Sequence, residues 1–174
     1  VAGSVENSLQ PVHRSYVKRQ LHPIVLCAPF SWRTYTKPLG YAGDYEMVNM
    51  MTRAPYEGSS LFAKILNTFF LSTPPVVAHR NRIDYLKGKL VEEINRVAAE
   101  GRRARILNLG CGPAIELQQL LEDEIADKAE IVLLDFNEET LRSVQQRFGE
   151  LFKQHGRTTQ IDTKLRSVHQ ILKE

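Results

Sequence analysis

Arg105-Ile106-Leu107-Asn108-Leu109-Gly110-Cys111-Gly112-Pro113-Ala114 is a short apolar run that breaks into a two-glycine turn, and Leu117, Leu120 and Leu121 follow at helical spacing. That order predicts strand, glycine turn, helix, with Pro113 in the first helical turn, where a missing N–H costs nothing. Beyond Asp127-Lys128, the continuous run Ile131-Val132-Leu133-Leu134 ends in Asp135 and reads as a parallel strand covered on both faces. Asn137 is placed to cap a second helix, whose buried stripe would be Leu141, Val144, Phe148, Leu151 and Phe152. Alternation of Ile161, Thr163 and Leu165 within Gln160 to Val168 adds a third strand. The sum is an α/β chain in the order βαβαβ, whose right-handed crossovers specify a doubly wound sheet.

Upstream, prolines at 11, 23, 29 and 38 among mixed aromatic and basic residues show no sustained period, which predicts an irregular arm with short helices. Asp44, just after Gly40 and Gly43, is a candidate N-cap for a short helix through Met47, Val48, Met50 and Met51. Gly58-Ser59-Ser60 announces another helix. Its Leu61, Phe62, Ile65, Leu66, Phe69 and Phe70 fall on one face that needs an apolar partner. Thr73-Pro74-Pro75 reads as a cap with proline in the first turn of a long helix to Glu100, with Gly88 as its bending point and Ile83, Leu86, Leu90, Ile94 and Val97 as its stripe. These readings divide the chain into an arm and helical cap at 1–72, a connecting helix at 73–101, and a sheet-forming part at 102–174.

Composition narrows the class. With 43% hydrophobic and 25% charged residues in 174, one globular core with an appendage is expected. The net charge of +3 arises from 23 basic and 20 acidic residues spread along the chain, which gives no argument for nucleic acid. Arg102, Arg103 and Arg105 read as a solvated turn. Cys27 and Cys111 form neither a disulfide framework nor a zinc cluster, so no metal is expected and a reducing, cytoplasmic setting is the default. No apolar stretch predicts a membrane span, and Val1-Ala2-Gly3-Ser4 lacks the charged and apolar regions of a signal peptide.

Chemistry enters at the turn. Glycines at 110 and 112 remove side chains where the backbone leaves the first strand, so a ligand can lie against the turn and meet the N–H groups at the helix start. A carboxylate at the end of the next strand, Asp135, is placed to accept both hydroxyl protons of a ribose. A dinucleotide fingerprint would put Gly or Ala at position 115 beside a pyrophosphate; Ile115 stands there, which argues against a nicotinamide oxidoreductase.

Leu107-Asn108-Leu109-Gly110-Cys111-Gly112-Pro113-Ala114 with Leu133-Leu134-Asp135-Phe136-Asn137 resembles the first two motifs of class I S-adenosylmethionine (SAM) dependent methyltransferases. The resemblance implies that Gly110, Cys111 and Gly112 line the methionine and ribose region, that Asp135 holds the ribose, and that Phe136 and Asn137 border the adenine. His169, after the third strand, would join that border. Lys37-Pro38-Leu39-Gly40-Tyr41-Ala42-Gly43-Asp44-Tyr45-Glu46-Met47 and His79-Arg80-Asn81-Arg82-Ile83-Asp84-Tyr85-Leu86 are similar to a bacterial group that includes enzymes like the 3-hydroxy fatty acid methyl ester synthases of quorum sensing. That narrower likeness implies a lid with Tyr41, Asp44 and Tyr45 near the substrate, and Arg80 or Arg82 near a carboxylate; for the arginines, solvated helix positions are the competing reading.

Three functions follow as expectations: a SAM-dependent methyltransferase acting on a small molecule such as a hydroxy fatty acid carboxylate, a noncatalytic assembly or regulatory module of the same fold, and, more weakly, a nicotinamide oxidoreductase. No catalytic histidine motif is present; His13, His22, His79, His155 and His169 are scattered. A full sheet of the resembled family has seven strands with the first one central. The chain is therefore expected to hold only the first half, completed by a missing C-terminal segment or a second chain.

Overall fold

In the computed structural model, which describes residues 9–173, three parallel strands form one sheet in the order β1-β2-β3. These are β1 (Ala104–Leu109), β2 (Ala129–Asp135) and β3 (Gln160–Leu165). Ala104 lies opposite Ala129 and Leu109 opposite Leu134, while Glu130 pairs with Gln160 and Asp135 with Leu165. The β1–β2 crossover carries α6 (Ile115–Leu120) and a 3-10 helix (Glu124–Lys128); α7 (Glu138–His155) links β2 to β3. β3 is shorter than the sequence suggests. The Ser167 hydroxyl accepts the Gln170 N–H and the Gln170 side-chain oxygen accepts the Ser167 N–H, a capping box that starts α8 (Val168–Ile171) instead.

Strand alternation sends Ala104, Ile106, Ile131, Leu133 and Ile161 to one face, where they meet Ile94 and Val97, Leu117 and Leu120, and Val144, Phe148 and Leu151. All three helices that cover the sheet lie on that side. On the opposite face Leu107 and Leu109 are 59% and 53% exposed, so among the described residues the expected second layer is absent. The Arg102 and Arg103 turn is exposed, with Arg102 paired to Glu100.

The irregular arm is corrected by two helices, α1 (Gln10–Val25) and α2 (Pro29–Thr36). Pro11 and Pro29 occupy first turns, so two of the residues that appeared to interrupt the chain instead begin its helices. The signal-peptide reading of residues 1–4 lies outside the described residues. Asp44 caps α3 (Tyr45–Arg53) by accepting the Met47 N–H at 2.8 Å, and Ser60 caps α4 (Leu61–Leu71) through the Ala63 N–H at 3.1 Å. Asp44, 2% exposed, also pairs with Arg33 Nε at 2.8 Å. Asp44→Ala removes the cap and leaves Arg33 unpaired, a loss expected to be about 2 kcal/mol in urea denaturation.

The six-residue apolar face of α4 is overturned. Ala63, Asn67 and Leu71 point inward, while Leu61, Phe62, Ile65 and Phe69 are exposed. The polar residue sets this rotation: fully buried Asn67 accepts the Phe30 N–H at 2.9 Å and donates to the Pro55 carbonyl at 3.0 Å. Turning Phe62 and Phe69 inward would strand those bonds.

α5 (Pro74–Ala99) runs as one helix through Gly88 and serves both halves. Val76 packs with Met51 and Leu71 in the cap, and Ile94 and Val97 join the sheet core. Leu86, assigned to its buried stripe, is instead 41% exposed. Thr73 stands at the N-cap position, but its hydroxyl donates to the Phe70 carbonyl rather than capping. Arg80 is neither solvated nor in the site: its Nη1 donates to the Met51 and Leu71 carbonyls at 2.9 and 3.1 Å, joining the C-terminal turns of α3 and α4. No single helix is long and apolar enough to cross a membrane.

Candidate functional site

β1 delivers the chain to Gly110 and Gly112 at φ of +63° and +52°, values that favour glycine. A Cβ built on either would meet nothing within 4 Å, so the flank of the turn is open to a ligand. The Cys111 N–H donates to the Leu134 carbonyl at 3.0 Å and ties the turn to the end of β2. Ala114 is also left-handed at φ +49°, which delays α6 to Ile115; Pro113 therefore sits in the turn and not in the first helical turn.

Asp135 and the glycine turn meet directly. Its Oδ2 accepts the Gly112 N–H at 3.1 Å, and its Oδ1 accepts the Asn137 N–H at 2.9 Å. The carboxylate is only 5% exposed, yet each oxygen has lone pairs beyond the one bond it accepts here. Asn137 turns its side chain to the Thr140 N–H at 2.9 Å as the cap of α7, which commits it to the helix. Phe136 stays exposed beside it.

Against the turn, between it and α3 and α5, lies a cavity of about 450 Å³. Arg82, exposed on α5, borders it together with His79, Asn108 and Glu116, which motif reading did not single out. Arg82 Nη2 donates to His79 Nδ1 at 3.0 Å. A guanidinium can only donate, so the imidazole proton belongs on Nε2, an atom buried with no hydrogen-bond partner among the described residues. Burial and the neighbouring Arg82 charge hold His79 below the ordinary histidine value, which keeps the ring neutral near pH 7.

Across the cavity, Asn108 donates to Glu116 Oε1 at 2.8 Å. Desolvation pushes the Glu116 carboxyl up, countered by its hydrogen bonds and by Arg82. Cationic and anionic groups thus share one small cavity beside the glycines. A larger groove, about 690 Å³, lies over the open sheet face around Leu107, Val132 and Arg166. It is lined by Arg105, Glu130, Asp162 and Lys164 as well, but none of the glycine turn or Asp135 borders it.

The cap reaches the site through two tyrosines. The Tyr41 ring lies 5.0 Å from that of Phe136, and the Tyr45 hydroxyl donates to Glu139 Oε1 at 2.9 Å. Burial raises the Tyr41 pKa and the Asp135 charge adds to it, which keeps the phenol protonated over the carboxylate. Asp44, by contrast, is committed to Arg33 and the α3 cap. Asp135, Phe136 and Asn137 do not line the turn cavity; Asp135 reaches the turn through its bond to the Gly112 N–H, whereas His169 is exposed on α8, also outside the cavity, and has no such link.

Cys111 is buried, and desolvation with the nearby Asp135 charge pushes its thiol up to about 12. At pH 8 iodoacetamide is expected to alkylate Cys27, which is partly exposed, and to leave Cys111 unmodified until the chain is denatured, as peptide mass mapping would read. The unfolded thiol ionises near pH 8.5 and the folded one near 12, so the folded chain holds the extra proton between those values and Cys111 lowers stability as pH rises through that window.

Compared with protein-family models and with curated proteins, the chain finds no match.

Proposed function

We propose that this chain forms the nucleoside-binding part of a class I SAM-dependent methyltransferase. The observation that carries the reading is the bond from the Gly112 N–H to Asp135: the open glycine turn and the ribose-type carboxylate are one site. Asp135 accepts the ribose hydroxyl protons, and Gly110 and Gly112 let the ligand lie against the backbone. Arg82 suits a ligand carboxylate, and Glu116 suits its ammonium. The sulfonium of bound SAM supplies an electrophilic methyl carbon.

What the protein contributes to such a displacement is alignment and exclusion of water. Tyr41 and Phe136 form an aromatic cover next to Asp135, and Tyr45 fastens the cap to α7. The proposed acceptor is a small molecule, of which the carboxylate of a hydroxy fatty acid is the favoured case. Such a carboxylate is ionised near neutral pH and requires no general base. Further strands, from a C-terminal segment or a second chain, would pair with the outer edge of β1, and the helices joining them would cover Leu107 and Leu109; the exposure of these two side chains supports this.

Calorimetric titration of the chain, and of any complex it purifies with, tests the reading. Saturable binding of SAM and of S-adenosylhomocysteine is expected, with NAD inert. Preference for NAD would transfer the site to an oxidoreductase, and no binding of any of the three would favour the noncatalytic module, with Asp135 serving only to join the turn to α7.

A further inference from the structure

The cavity beside the glycine turn has two walls of different chemistry. One is the turn itself with Asn108 and Glu116; the other comes from α3 and α5, through Met47, Val48, Met51, Ile83 and Leu86. On α5, His79, Arg82, Ile83 and Leu86 recur at three- and four-residue spacings, so one face of the helix passes from polar to aliphatic along the cavity. Met51 and Ile83 are buried, while Leu86 is 41% exposed. Leu86 therefore borders the cavity and does not serve the sheet core.

If Asp135 holds the ribose, and Arg82 and Glu116 hold the amino acid end, the space left for a methyl acceptor is the part of the cavity walled by α3 and α5. We infer that Met47, Val48 and Leu86 set acceptor specificity by forming a seat for an unbranched aliphatic chain. Two features decide for a chain over a ring. Among the described residues no Phe, Tyr or Trp lines the cavity, and those are the side chains whose faces hold a planar ligand. Met47 and Met51 are unbranched themselves and turn about three bonds, so they shape themselves to a chain. Gly43, also on the lining, adds no side chain over the Met47 methyl. The inference rests on the methyltransferase reading for calling the ligand an acceptor, but not for the seat.

The protein supplies its own probe. Its three methionines, Met47, Met50 and Met51, all lie on α3, and Met50 is buried without lining the cavity, which makes it an internal reference. Methyl spectra of the full chain, isotope-labelled at methionine, are recorded during titration with decanoate at saturating S-adenosylhomocysteine. The Met47 and Met51 signals are expected to move with one midpoint while Met50 stays. Naphthoate, which carries the same charge on a planar body, is expected to bind about tenfold more weakly. Leu86→Glu is expected to raise the decanoate midpoint about tenfold, with an unchanged melting temperature as the check on its fold. Tyr85→Glu, at a 67% exposed position outside the cavity, should leave the midpoint where it was.

Unweakened binding by Leu86→Glu, a Met50 signal that moves as far as the other two, or preference for naphthoate overturns the proposal. Binding of S-adenosylhomocysteine with all three methionines silent to decanoate removes the seat and keeps the methyltransferase reading. Saturable movement of Met47 and Met51 in a chain that does not bind S-adenosylhomocysteine upholds the seat and removes that reading instead.

Discussion

Asp135→Asn is expected to weaken binding of SAM and S-adenosylhomocysteine by about a hundredfold, because two charge-assisted bonds to a ribose become neutral ones. The substitution is chosen for its size. An asparagine amide can still accept the Gly112 or the Asn137 N–H, so one of the two backbone bonds that shape the turn survives. Calorimetry reads the affinity, and amide spectra of Gly112 and Asn137 read whether the turn has kept its form. Unchanged affinity with an unchanged turn would remove Asp135 from the site.

Leu133→Ala is expected to cost about 2–5 kcal/mol in urea denaturation, which is a large share of the total stability of an ordinary domain. Leu133 is fully buried in the central strand, among the core-facing side chains of α6 and α7. The cavity left behind cannot collapse without shifting the sheet. Leu107→Ala supplies the contrast on the opposite face. In the isolated chain this exposed residue should matter by less than about 0.5 kcal/mol; a loss comparable to that of Leu133 would mean that the face is covered in solution.

The sheet was legible because its signals are local and repeated. Alternation in β3, the unbroken apolar run of β2 and the 3.6-residue stripe of α7 each name their own element, and Leu141, Val144, Phe148 and Leu151 are buried as their spacing predicts. The turn and Asp135 were legible for a related reason: in a parallel βαβ unit the ends of adjacent strands lie side by side. Caps at Asp44 and Asn137 followed from residue type, whereas Thr73, read as a cap on the same grounds, does not cap α5.

What was not legible depends on contacts between distant segments. The rotation of α4 is fixed by Asn67 bonding to Phe30 and Pro55, and no count of apolar residues along α4 contains that information. Arg80 looks like a surface cation until the carbonyl ends of α3 and α4 are placed beside it. Glu116, Asn108 and His79 come from three elements, and only the fold assembles them with Arg82. Proline misled twice in the arm, since its position within a helix, and not its presence, decides whether it starts or breaks one.

The central claim is that one nucleoside lies against both the Gly110–Gly112 turn and the Asp135 carboxylate bonded to it, and backbone amide spectroscopy during titration with S-adenosylhomocysteine tests it most directly. Saturable shifts confined to Gly110, Cys111, Gly112, Asp135, Phe136 and Asn137, with side-chain signals of Arg82 and His79 moving at the same midpoint, are the predicted result. Shifts grouped instead around Leu107, Val132 and Lys164 on the open sheet face, with the turn silent, would contradict it.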